Sequence, residues 1–88
     1  MMDRIESQLQ LPPNAYELTE YGRYYARDGE RVVAVYLAAG GEVRAGERRW
    51  LADKRGLPIY FDGGCDVINI VYDPSTEIVE QSFCNGVA

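Results

Sequence analysis

Two cysteines, Cys65 and Cys84, lie at the two ends of a hairpin within the most constrained stretch of this 88-residue chain, its last 27 residues. Residues 66–72 (DVINIVY) and 77–83 (EIVEQSF) are rich in β-branched side chains, which fit a pleated, half-buried surface. Between them Pro74 holds φ near −65° and suits the second position of a type I turn, with Asp73 at the first. A two-residue hairpin loop needs positive φ where Pro74 sits, so a four-residue loop is expected. Placing Tyr72 opposite Glu77 then sets Cys65 opposite Cys84, in a non-hydrogen-bonded pair with Cα atoms about 4.5 Å apart. A disulfide spans that distance. Closing a loop of about 20 residues would stabilise the fold by roughly 3 kcal/mol. The alternative is two reduced, buried thiols. The same register puts Ile68, Ile70, Tyr72, Val79 and Phe83 on a core face, with Gln81 its polar exception. It puts Val67, Asn69, Val71, Ile78, Glu80 and Ser82 on a partly solvated one.

A second hairpin is expected over residues 21–39, where Asp28-Gly29 separates YGRYYAR from ERVVAVYLAA. Tyr24, Ala26, Val33, Val35 and Leu37 share one face. Tyr21, Arg23, Tyr25, Val32, Ala34 and Tyr36 share the other. Cross-strand tyrosines stabilise sheets, and tyrosine is also enriched at interfaces. Tyr21, Tyr25 and Tyr36 are therefore a candidate partner surface, with a purely structural role as the plainer reading.

Gly40-Gly41 ends that strand, and a further strand is expected around residues 48–52. Arg44, Arg48, Arg49, Lys54 and Arg55 cluster there with Trp50 among them. Arg44, Arg48, Arg49 and Trp50 form a candidate anion patch. The plainer reading is an edge strand blunted by charge, with Trp50 turned inward. Pro58 limits residues 57–61 (LPIYF) to an edge strand or packed loop. At the other end, Met2, Ile5 and Leu9 have helical spacing, and Pro12-Pro13 stops any helix there. Residues 14–20 read as one capped helical turn or a loop.

These elements make one domain of mainly β or small α+β class. An antiparallel sheet of about five strands from two hairpins occupies residues 14–88, and residues 1–13 form an arm or short helix. The expected core is Tyr24, Val33, Val35, Leu37, Trp50, Ile68, Ile70, Val79 and Phe83.

The chemistry is narrow. The chain has no histidine, which removes the commonest general base and metal ligand. Two cysteines without histidine cannot complete a zinc site in one chain. No EF-hand, P-loop or dinucleotide fingerprint is present. No catalytic residue, metal or cofactor is therefore assigned. Carboxylate pairs need only proximity in space, so a small carboxylate-dependent hydrolase stays open. Net charge is −5. Residues 1–60 hold nine basic and nine acidic side chains, so the excess comes from Asp62, Asp66, Asp73, Glu77 and Glu80. That acidic end argues against nucleic-acid binding and allows a basic partner surface. No apolar run approaches a membrane span. The first fifteen residues lack the apolar segment of a signal peptide, so an exported form is expected to carry its leader outside this stretch.

The ending Asp62-Gly63-Gly64-Cys65, then Tyr72-Asp73-Pro74, then Cys84-Asn85-Gly86 and Ala88 resembles small exported bacterial proteins of unknown function. The resemblance covers about the last third of the chain and extends to the Tyr24-Tyr25 and Tyr36 region. It implies a periplasmic or secreted setting and carries no activity or site residues. The leading functional reading is a non-catalytic binding or inhibitor-like module outside the cytoplasm with a protein partner. The alternative is a cytosolic or phage-encoded acidic interaction protein with reduced thiols. An exposed sheet edge makes a dimer an open option.

Overall fold

The computed structural model describes residues 1–86; Val87 and Ala88, the end of the terminal sequence pattern, lie outside the described residues. The chain forms a small α+β fold. One helix, α1 (Met2–Gln8), precedes five strands: β1 (Gly22–Asp28), β2 (Arg31–Leu37), β3 (Arg48–Trp50), β4 (Val67–Asp73) and β5 (Ile78–Cys84). They make a single sheet in the order β3-β1-β2-β4-β5. The sheet is mixed rather than wholly antiparallel. Arg23, Tyr24 and Tyr25 of β1 run parallel to Arg48, Arg49 and Trp50 of β3. The chain leaves β2, crosses one face of the sheet and returns beside β1 on its far side, running in the same direction as β1.

The first hairpin keeps its expected faces in a register two residues away from the expected one. Asp28 pairs with Arg31, so Gly29 and Glu30 form the loop. Gly29 takes φ 61°, which suits a glycine-first two-residue turn. A slip of two preserves every facing, because strand side chains alternate with period two.

The terminal hairpin slips by an odd number, and that matters. Ile68 pairs with Cys84, Asn69 with Phe83, Ile70 with Ser82 and Val71 with Gln81. A bulge then intervenes, after which Tyr72 faces Val79 and Asp73 faces Ile78. Glu77, with φ 60°, closes the turn by donating its N–H to Asp73 O at 2.8 Å. A three-residue offset turns side chains to the opposite face. Phe83, expected in the core, lies on the far face and is 47% exposed. Trp50, also expected there, is 40% exposed on the edge strand β3.

Each sheet face has its own cover. Under α1 lie Tyr21, Tyr25, Val32, Ala34, Tyr36, Ile68, Ile70 and Tyr72, sealed by Ile5 with help from Met2, Leu9 and Leu18. Seven residues are too few for a stable free helix, so α1 owes its place to this packing. On the opposite face Tyr24, Val35, Leu37 and Val67 are covered by Val43, Leu51 and Leu57 from the long excursion between β2 and β4. Gly22 permits the close crossing, since a Cβ there would stand 1.9 Å from Val43 O.

Candidate functional site: an apolar loop held at the disulfide end

The three tyrosines proposed as a partner surface are interior residues. Tyr21, Tyr25 and Tyr36 are 0% exposed, because α1 lies on the face that strand alternation gave them. Their hydroxyls are satisfied inside. Tyr21 Oη donates to Cys65 O at 2.6 Å and accepts from Tyr16 N–H at 3.1 Å. The Tyr25 and Tyr36 hydroxyls meet at 2.5 Å, and Tyr25 also bonds the Glu6 carboxylate. Burial, then the neighbouring hydroxyl and Glu6, push the Tyr25 phenol far above its ordinary value; burial does the same for Tyr36.

Beside them sits a charge cluster that motif reading missed. Arg23 donates to Leu18 O at 3.1 Å and Gly46 O at 3.3 Å, with its Nε 3.6 Å from Glu6 Oε2. Arg48 Nη1 lies 3.2 Å from Glu6 Oε1, and its Nη2 lies 2.5 Å from Asp3 Oδ1. One signal was available. Strand alternation places Arg23 on the tyrosine face, and a charge facing a core needs a carboxylate. The cluster fastens α1 to the sheet.

The candidate anion patch is not assembled. Arg48 and Trp50 point to the α1 face, where Arg48 is committed to Asp3 and Glu6. Trp50 stacks on Tyr25 with ring centroids 6.4 Å apart and planes 7° apart. Arg49 is turned the other way, 3.6 Å from Glu42. Arg44 is exposed in the loop before β3.

The Cys65–Cys84 disulfide is present, with Cα atoms 4.6 Å apart. The expected route to it is corrected, since the cysteines are not opposite one another across a ladder. Cys65 lies in a 3₁₀ turn, Gly64–Asp66, ahead of β4, while Cys84 is the last residue of β5 opposite Ile68. Gly63 and Gly64 adopt φ 107° and 57°, which fold the chain back so that the thiols meet.

Next to this bond is the most distinctive surface of the molecule. Asn85 extends the β5 ladder by donating its N–H to Val67 O at 2.9 Å. Its Oδ1 accepts from Asn69 Nδ2 at 2.6 Å. Its Nδ2 donates to Tyr60 O at 2.7 Å and Asp62 O at 3.1 Å. These two bonds bracket Phe61, which is 93% exposed. Ile59 and Tyr60 are exposed as well. Leu57 anchors the start of the loop in the second core. Asn69 is opposite Phe83 in the ladder, and Asn85 lies two residues beyond Phe83, so Phe83 shares this side of the sheet. The result is an exposed apolar loop, Ile59-Tyr60-Phe61, held by the Asn85 amide.

The carboxylates of the terminal hairpin are largely engaged. Arg31 reaches Glu80 at 2.6 Å and Asp73 at 3.7 Å, and Arg4 bonds Glu77. Glu20 and Asp66 line one open depression together with Tyr16, whose phenol is raised above its ordinary value chiefly by the neighbouring Asp66 carboxylate. Among the described residues no group of three or more His, Cys, Asp or Glu converges as a metal site would require. No helix among them is long and apolar enough to cross a membrane. No family model, curated protein or solved structure matches this chain.

Proposed function

We propose that the protein is a non-catalytic, inhibitor-like binding module that works outside the cytoplasm and presents residues 57–62 to a protein partner. The observation that carries this reading is the pair of bonds from Asn85 around Phe61. An apolar side chain in water is ordinarily a cost, and a mobile one loses entropy again when it binds. Here the backbone on both sides of Phe61 is tied before any partner arrives. Exposed aromatics that enter a partner's pocket are typical energetic anchors. The partner of such a loop has an apolar cleft wide enough for a phenyl ring. The disulfide supports an oxidising compartment. The acidic-docking reading is weakened, since Asp73, Glu77 and Glu80 already face arginines of their own chain.

The test is capture from the periplasmic and secreted proteins of the source organism on immobilised oxidised protein, Phe61→Ser and Asn85→Ala. The reading expects a protein retained by the wild type and released by Phe61→Ser, with the thermal midpoint of that variant unchanged. Identical capture by wild type and Phe61→Ser would remove the loop as the contact.

A further inference from the structure

The geometry points to thiol–disulfide control of the loop: reduction of Cys65–Cys84 by a dithiol frees the end of β5, and with it Asn85 and its hold on Tyr60 and Asp62. This rests on the reading that residues 57–62 are the binding surface.

The two ends of the disulfide are unequally secured. On the Cys65 side the chain is tied to the body of the fold without help from sulfur. Cys65 O accepts from the buried Tyr21 hydroxyl at 2.6 Å and Asp66 O accepts from Ala38 N–H at 2.9 Å, while the turn itself is closed by Asp66 N–H on Gly63 O at 3.2 Å. On the Cys84 side the ladder is at its last rungs. Beyond Cys84 there remain the bonds of Asn85 to Val67 and Asn69, its two bonds to the loop carbonyls of Tyr60 and Asp62, which no ladder supports, and that of Gly64 N–H to Gly86 O at 3.3 Å. Strand ends fray when nothing pins them. Losing the sulfur bridge therefore leaves the Cys65 turn in place and loosens Cys84 and Asn85.

Asn85 is the next residue after Cys84, and no other side chain among the described residues makes a hydrogen bond to the backbone of residues 60–62. Residues 57–63 lie in no helix or strand. The loop has no ladder of its own to fall back on once Asn85 moves. Both cysteines are half-buried rather than sealed in the core, so a reductant can approach.

The chemistry is ordinary exchange. A thiolate of the dithiol attacks one sulfur of the bridge, forms a mixed disulfide and expels the other cysteine as thiolate. The second thiol of the reductant then displaces the remaining cysteine and closes its own disulfide. Two electrons and two protons pass from the dithiol to Cys65 and Cys84, and no other bond changes.

The experiment is backbone ¹⁵N relaxation on three samples: the oxidised protein, the protein reduced with dithiothreitol, and oxidised Asn85→Ala. Reduction is expected to lower the order parameters of residues 59–62 and 84–86 from about 0.85 to below about 0.6, while the centres of β2 and β4 stay near 0.85. Asn85→Ala is expected to loosen 59–62 with the bridge intact. Unchanged loop order parameters on reduction would overturn the proposal, as would an equal drop across the whole sheet, which marks a global staple. A rigid loop in Asn85→Ala would overturn it too. The readout needs no partner, so failed capture by the loop refutes the binding reading alone.

Discussion

Glu6 and Arg23 form an ion pair beneath α1, 3.6 Å apart, with both side chains almost out of water. Glu6 also accepts from Arg48 and Tyr25. Removing one member of such a pair strands the other. Glu6→Leu is expected to destabilise by about 3 kcal/mol, because Arg23 is left buried without its carboxylate. Adding Arg23→Met should recover part of that loss. Urea unfolding of the two single variants and the double variant measures the coupling, and additive losses would show that the pair does not act as a unit.

The Tyr25 and Tyr36 phenols are both raised by burial. For a group whose folded value is raised, the linked stability is fully present below the unfolded value near 10 and is lost as pH rises through the folded one. Stability should therefore fall above about pH 10. Phenolate absorbance should show these two tyrosines ionising only together with loss of the folded signal. Tyr25→Phe should reduce the number of delayed phenols and cost about 1–3 kcal/mol at neutral pH, since Glu6 and Tyr36 lose a partner.

Asp73 behaves in the opposite sense. Ser75 donates to its Oδ1 through Oγ at 2.7 Å and through N–H at 2.9 Å. Those bonds, with Arg31 as a lesser cause, hold its carboxyl below the ordinary value. The linked stability is present above about pH 4 and is lost as pH falls through the lower folded value. Asp73→Asn should flatten the acid limb of a thermal-midpoint profile below about pH 4 and lower the midpoint at neutral pH. An unchanged acid limb would show that the turn does not need the charge.

How much of this was legible in the chain depends on parity. Gly29 announced the first hairpin, and its two-residue offset left Tyr24 and Tyr25 on their expected opposite faces. The second hairpin hid a bulge beside Val71 and Tyr72 and a left-handed Glu77. Neither has a marker in VYDPSTEIV, and their odd net slip turned Phe83 outward. The cysteine pairing was correct although the ladder that suggested it was not, because Gly63 and Gly64 bend Cys65 toward β5 by another path. The strand expected around residues 48–52 is there as β3, but its parallel pairing with β1 was not readable, since three residues carry too little pattern and their partner lies across a long loop. Tyr21, Tyr25 and Tyr36 were grouped on the right face, but which face α1 covers is decided by tertiary packing. Asn85 gave no sign of its role, because an asparagine after a cysteine is ordinary until its four hydrogen bonds are seen.

The central claim is that Phe61 is exposed yet held. Backbone ¹⁵N relaxation of the oxidised protein tests it most directly. With Asn85 bonded to Tyr60 and Asp62, order parameters of residues 60–62 should approach about 0.85, the value of rigid backbone, and should drop in Asn85→Ala. Values below about 0.6 in the wild type would mean a flexible tip, and the account of a preorganised binding loop would be contradicted.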